Sequence, residues 1–208
     1  MSDIKNIEQH YSLDERPFLE KVRGFCQLVD DRYSPYLTDF LNPREIQIVE
    51  ELAHYYNLKF FVSSTLESEE YGRVILAPEY YELDDDDFEI KRLEISYARQ
   101  FNKLTHPKVL GALINQLGLD RQVFGDIILD EEGRVQFSIA SHLASYAIMT
   151  ITKIGNVSVT LKEVSKDDWI SNQENYSQSF VLLSSMRLDN VLATVLNLSR
   201  SNALKLIA

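Results

Sequence analysis

HPKVLGALINQLGLDRQVFGDIILDEEGRVQFSIA, residues 106 to 140, switches its hydrophobic period halfway along. Val109, Leu110, Leu113, Ile114 and Leu117 recur at three- and four-residue spacing, the mark of a helix with one buried face. Gly118 follows where a left-handed C-cap belongs. From Gly125 the pattern is that of strands: GDIILD and RVQFSIA flank Asp130-Glu131-Glu132-Gly133, a hairpin signal in which the glycine supplies the positive-φ position.

Outward from this stretch the alternation continues. Ser141 to Thr150 reads as helical and Val157 to Val164 as a last strand. Upstream, Leu58 to Ser63 and Arg73 to Ala77 are short and rich in β-formers, and Phe88 to Tyr97 alternates Phe88, Ile90, Leu93 and Ile95 with charged residues. Asn42 and Pro43 are suited to the N-cap and first position of a helix that turns Ile46, Val49, Leu52 and Ala53 inward. Ile4 to Asp39 reads as helical, with Phe18, Val22, Phe25, Cys26, Leu28 and Val29 on its buried face and Pro17 in the first turn. The fold class is α+β. Residues 1–41 form an N-terminal helical segment and 42–164 a ferredoxin-like or RRM-like α+β domain. The polar run SKDDWISNQENYSQS makes 165–180 a linker, leaving 181–208 as a third segment.

The chain has 208 residues, 45% hydrophobic, with 7 Gly and 5 Pro, which excludes wholesale disorder and collagen-like repeats. Its apolar runs fall short of the roughly 20 residues a membrane-spanning helix needs. Met1 to His10 is polar, without a signal-peptide core, so a cytoplasmic protein is expected. A lone cysteine, Cys26, excludes an internal disulfide and a multi-Cys zinc site. Net charge is −11, which taken whole argues against nucleic acid. The charge is unevenly spread. From Glu67 to Glu94 there are eleven acids against three bases, whereas Ser184 to Ala208 holds Arg187, Arg200 and Lys205 against Asp189 alone.

That terminal segment carries the most informative pattern. Leu188, Val191, Leu192, Val195 and Leu196 place one apolar face on a helix. Asn197 and Leu198 interrupt it, and Ser199 is a fitting N-cap for a second helix whose Ala203, Leu206 and Ile207 point back at the first. In such a pair Arg187, Ser199, Arg200 and Ser201 share a polar side at a helix N-terminus, a small anion site suited to phosphate, with Lys205 adding charge. Asp189 is expected to orient a neighbouring arginine or backbone N–H rather than touch nucleic acid. The bland alternative is a helical hairpin with solvated arginines.

At these residues the segment resembles the opening of an S4 RNA-binding domain: Arg187-Leu188-Asp189, nine residues, then Ser199-Arg200-Ser201-x-Ala203. The resemblance implies an αL fold that recognises structured RNA. S4 domains continue with a strand-loop segment and this chain ends at Ala208, so the expectation is an incomplete S4 domain with further basic residues beyond it. Domain order separates S4 proteins. S4-type pseudouridine synthases place S4 first, and tyrosyl-tRNA synthetases need a nucleotide-binding domain that this sequence lacks. Leu104-Thr105-His106, Leu110-Gly111-Ala112-Leu113, Gly118, Arg121 and Gly125-Asp126-Ile127-Ile128 resemble the middle stretch of the YlmH family of bacterial S4 proteins. Pro107 and Lys108 stand where that family commonly has an arginine and an acidic residue. The resemblance implies association with the large ribosomal subunit and tRNA, rescue of stalled nascent-chain complexes, and a link to cell division.

No enzyme site is expected. The four histidines are scattered, Cys26 lies on an apolar face, and no Gly-rich phosphate loop, G-x-S-x-G or H-E-x-x-H is present. No cofactor or metal is expected: the Asp84 to Asp87 run lacks EF-hand spacing and reads as a solvated loop. His106 is a candidate RNA contact or else a capping residue, and Arg121 a candidate phosphate contact or else an exposed arginine. Arg99 and Lys103 could add charge on the same side. The leading reading is a non-catalytic protein that binds structured RNA. The alternatives are a protein-interaction module of the division machinery acting through its acidic surface and, more weakly, a helix-turn-helix reader of DNA.

Overall fold

The computed structural model describes residues 11–64, 69–170 and 180–207. The chain divides into two compact units, Met1–Gln173 and Glu174–Ala208.

In the first unit, α1 (Arg16–Arg32) carries Pro17 in its first turn and ends at Tyr33, whose φ of 50° is left-handed. Strand β1 (Tyr36–Leu41) follows, then α2 (Pro43–Tyr55), β2 (Lys59–Val62) and β3 (Gly72–Ala77). Asn42 caps α2 through a capping box: its side chain accepts from the Glu45 amide at 2.9 Å and Glu45 accepts from the Asn42 amide at 2.9 Å. The strands form an antiparallel sheet in the order β1-β3-β2. The two helices pack Leu19, Val22, Cys26, Val29, Val49 and Leu52 onto Val74 and Leu76 of the central strand. Two expectations are corrected here. The helical start does not run to Asp39, and residue 41 is no domain boundary, because β1 hydrogen-bonds to β3 across thirty residues of chain. A strand whose partner is that remote has no local signature strong enough to betray the pairing.

The second half of this unit runs β4 (Ile90–Ser96), α3 (His106–Leu117), β5 (Phe124–Leu129), β6 (Val135–Ala140), α4 (Ala144–Thr150), a small hairpin β7 (Lys153–Ile154) and β8 (Val157–Ser158), and β9 (Thr160–Glu163). The sheet order is β5-β6-β4-β9, with all neighbours antiparallel. This is the βαββαβ arrangement with split βαβ crossovers, the ferredoxin-like or RRM-like fold expected, but over 90–163 rather than 42–164, because β2 and β3 belong to the separate sheet with β1. Helix α3 has the predicted bounds and ends on Gly118 at φ 64°; Gly133 closes the hairpin at φ 77°. Period-two alternation divides the strands. Leu93, Ile95, Val135, Phe137 and Ile139 face α3 and α4 and build the core with Val109, Leu113 and Ala147. Arg92, Glu94, Gln136 and Ser138 occupy the opposite face and are nonetheless buried.

That polar face is partly covered from two directions, leaving a cavity of about 380 Å³ beside Arg92, Ser138 and Trp169. Residues 165–170, expected to start a linker, instead fold onto the face: Lys166–Asp168 make a 3-10 turn, Trp169 stacks on the Arg92 guanidinium at 4.1 Å, and the Ile170 amide donates to Gln136 at 3.0 Å. Gln136 in turn donates to Glu94 at 3.0 Å and to the Asp168 carbonyl at 2.9 Å. The rest of the expected linker lies outside the described residues except Phe180. From the first sheet, Glu69 pairs with Arg92, and Asp126 accepts from the Glu70 and Tyr71 amides at 2.8 and 3.1 Å. Arg73, buried on β3, donates to the Thr38 carbonyl at 2.8 Å and to the Phe88 and Glu89 carbonyls at 3.0 and 3.1 Å, tying the halves together.

In the second unit, α5 (Leu188–Val195) and α6 (Arg200–Ile207) form the expected helical pair. Asn197, at φ 52°, makes the break between them. The apolar stripe is less buried than its spacing predicts. Leu188, Val195, Leu196, Leu204, Leu206 and Ile207 are exposed, and Ala203 and Asp189 are the buried side chains among the described residues of this unit. Two helices of eight residues offer each other too little area to cover that stripe.

Candidate nucleic-acid interface

The head of the helical pair is organised by one carboxylate. Asp189 sits in the first turn of α5, where the helix dipole favours a negative charge, and is 5% exposed. It accepts from Arg200 Nε at 2.7 Å and from Arg187 Nε at 3.1 Å. These two bonds, Arg200 first, hold its carboxyl well below the usual carboxylate range, at about 2. Both arginines remain largely open to solvent, 69% and 59% exposed. Each bonds Asp189 through its Nε, so its terminal guanidinium nitrogens are not spent on that carboxylate and remain available as donors.

Ser199 is the N-cap of α6: its hydroxyl accepts from the Asn202 amide at 3.3 Å and stands 3.1 Å from the Ser201 hydroxyl. Arg187, Asp189, Ser199, Arg200 and Ser201 are thus assembled at one end of the pair. Two cations held over one anion, beside two hydroxyls and a helix N-terminus, can accept a phosphate. Lys205 is not part of this assembly; it lies in the last turn of α6.

The two candidates in the middle domain separate. His106 is the exposed first residue of α3, after Thr105, whose side chain makes no capping bond. Arg121 is half-buried rather than exposed. Its guanidinium lies 4.1 Å from the Tyr71 ring centroid and donates to the Phe124 carbonyl, so it joins the first sheet to the second instead of standing free. The sequence offered no sign of Tyr71 as its partner fifty residues away. The aspartate run is also structural in part: Asp84 caps the 3-10 turn Asp85–Phe88, and Asp87 accepts from the Tyr81 hydroxyl at 2.5 Å and from the Asp84 amide at 2.9 Å. Cys26 is fully buried, and burial pushes its thiol up to about 11. Among the described residues no group of three or more His, Cys, Asp or Glu side chains could hold a metal ion, and no helix is long and apolar enough to cross a membrane.

Comparison with known proteins follows the same division. Residues 84–168 match the family model described as "Putative RNA-binding domain in YlmH". Over 204 residues, 98% of this chain and 79% of the relative, the sequence is 31% identical to the "Ribosome-associated protein quality control protein P2" of Bacillus subtilis (strain 168). The solved structure of "Cell division protein ylmH from Streptococcus pneumoniae" superposes with a TM-score of 0.69 at 40% identity, covering 78% of this chain and 98% of that one. None of these names describes an enzyme. With a relative 31% identical over nearly the whole of this chain, a βαββαβ domain that fits the family model and the Arg-Leu-Asp to Ser-Arg-Ser helical pair after it in sequence, the chain belongs to the YlmH family.

Proposed function

We propose that this chain is a non-catalytic, cytoplasmic RNA-binding protein that associates with the large ribosomal subunit and tRNA and acts in the rescue of stalled nascent-chain complexes. The observation that carries the reading is the Asp189 clamp, which holds Arg187 and Arg200 side by side, exposed, on a chain whose net charge is −11. Two long cations ordered in advance lose less side-chain entropy on meeting a phosphate than two free ones. The name of the Bacillus subtilis relative, a ribosome-associated quality-control protein, supports the ribosome as the partner.

The test is co-sedimentation of the 208-residue chain with purified large ribosomal subunits. Each charge-assisted contact is worth about 1.5 kcal/mol or more, so Arg187→Ala with Arg200→Ala is expected to weaken binding about 100-fold at moderate salt. Undiminished binding by a folded double variant rejects the site. A second reading, a protein-interaction module of the division machinery, draws on the Streptococcus pneumoniae relative's name and on the exposed Asp84 to Asp87 turn. It predicts a protein complex that the Arg187/Arg200 double variant preserves and Asp85→Asn with Asp86→Asn weakens.

A further inference from the structure

RRM-like domains commonly read RNA on the open face of the sheet, with aromatic side chains on the two central strands. Here the corresponding positions on β4 and β6 are Arg92, Glu94, Gln136 and Ser138, none of them aromatic and all of them buried, with Trp169 and Glu69 on Arg92 and Ile170 bonded to Gln136. Those four strand positions offer a base nothing to stack on, so the usual mode of RNA reading is missing from this face.

The lysines indicate another surface. Residues 90–168 contain six. Three have a carboxylate within reach: Lys91 pairs with Glu163 at 2.6 Å, Lys162 with Glu94 at 3.9 Å and Lys166 with Asp85 at 3.3 Å. The other three, Lys103, Lys108 and Lys153, are exposed and have no carboxylate partner among the described residues. They precede or lie on α3 and begin the β7–β8 hairpin. This part of the sequence is free of acids: residues 95–119 and 133–162 contain no Asp or Glu. The exposed parts of these segments on α3 and the hairpin come together in space. Gln116 of α3 donates to the Lys153 carbonyl at 2.8 Å, and Lys108, Gly111, Asn115, Gln116, Gly155 and Asn156 line an open groove of about 500 Å³ between α3 and the hairpin. At Gly111 a Cβ would meet nothing within 4 Å, so the groove floor is unobstructed. The groove thus offers amides that can hydrogen-bond a sugar or phosphate oxygen, beside unneutralised ammonium groups.

We infer that the acid-free surface of α3 and the β7–β8 hairpin, with Lys103, Lys108 and Lys153, is where the middle domain holds the phosphate backbone of structured RNA. The inference rests on the RNA-binding reading above and places a second contact surface apart from the Arg187/Arg200 clamp. Lysines already paired to carboxylates release few counterions on binding, whereas unpaired ones add directly to the salt dependence.

The test measures binding of a fluorescein-labelled tRNA by anisotropy between 50 and 200 mM KCl, using the 208-residue chain. Replacing Lys103, Lys108 and Lys153 together by Ala is expected to weaken binding at least about 10-fold and to reduce the slope of log K against log salt by about 2 to 3, the figure for three lost phosphate contacts. Replacing the same three by Arg restores both quantities. The matched variant Lys91→Ala, Lys162→Ala and Lys166→Ala, which removes equal formal charge, leaves them near the parent values. The inference is overturned if the two Ala triples behave alike, or if the first binds like the parent while Arg187→Ala with Arg200→Ala loses affinity; in the latter case the RNA-binding reading survives without this surface. If the parent shows no salt-dependent binding to the tRNA, both fall together.

Discussion

A single carboxylate shows how much one residue position can organise. Asp189 has its proton affinity lowered by two arginine hydrogen bonds, so the folded pair prefers it ionised. The linkage has a definite sign. Its stabilisation is fully present above the ordinary aspartate value of 3.8 and is lost as pH falls toward the folded value of about 2. An NMR titration of the Asp189 side-chain carboxyl carbon is therefore expected to give a midpoint near 2 in the parent. In the Arg187→Ala, Arg200→Ala variant the midpoint should move up toward 3.8; a midpoint that does not move would mean that the two bonds do not hold the carboxylate. The Arg-Leu-Asp spacing made this orienting role legible in the sequence. By contrast, nothing local announced that Arg121 would lie over Tyr71, or that Arg92 would be stacked under Trp169, because both partners come from remote strands and turns.

At the scale of elements, β1 and β5 meet in a tight joint. A Cβ added at Gly125 would stand 2.7 Å from Phe40 Cε1 and 2.9 Å from the Ser138 Cβ, so the two sheets meet across a position with no room for a methyl group. Gly125→Ala is expected to destabilise the first unit by about 1–3 kcal/mol, the usual cost of overpacking a well-filled core. Urea unfolding followed by fluorescence of Trp169, the one tryptophan, measures it. An unchanged midpoint would show that the joint yields without strain. Helix α3, the β5–β6 hairpin and the Asn42 cap of α2 were readable to within a residue or two, since each is specified by local period, turn chemistry or capping. Strand β1 was read as helix, because its six residues follow α1 closely and their identity as strand depends on the Leu76 and Ile75 backbone they pair with. The segment 165–170 was read as linker for a similar reason: its polar composition conceals that Gln136 and Arg92 bind its backbone.

For the whole molecule, the figure of −11 misleads until it is resolved in space. The acids of Asp84 to Asp87 are gathered on one exposed turn, and the middle-domain lysines without a carboxylate partner among the described residues lie just before or on α3 and at the start of the β7–β8 hairpin. At physiological salt, charges farther apart than about 8 Å are largely screened. Asp85→Asn with Asp86→Asn is accordingly expected to raise tRNA affinity by less than about 3-fold at 150 mM KCl, although it removes two negative charges. A gain of 10-fold or more would place the acidic turn against the RNA and contradict the separation of surfaces. Bulk charge therefore governs solubility and encounter in this protein, and local pairing governs where a polyanion can rest.

The sequence by itself determined the α+β class, the bounds of α3, the hairpin, the capped helix after Asn42 and the assembly of Arg187, Asp189 and Arg200, because period, turn residues and short-range spacing act within a few residues of chain. Only the tertiary structure decided that β1 joins β3, that Trp169 and Ile170 fold onto the polar face of the second sheet, and that three of the six lysines in residues 90–168 have no carboxylate partner among the described residues. Those outcomes depend on which distant groups are brought within about 4 Å, and side chains compete for partners only once the chain has folded.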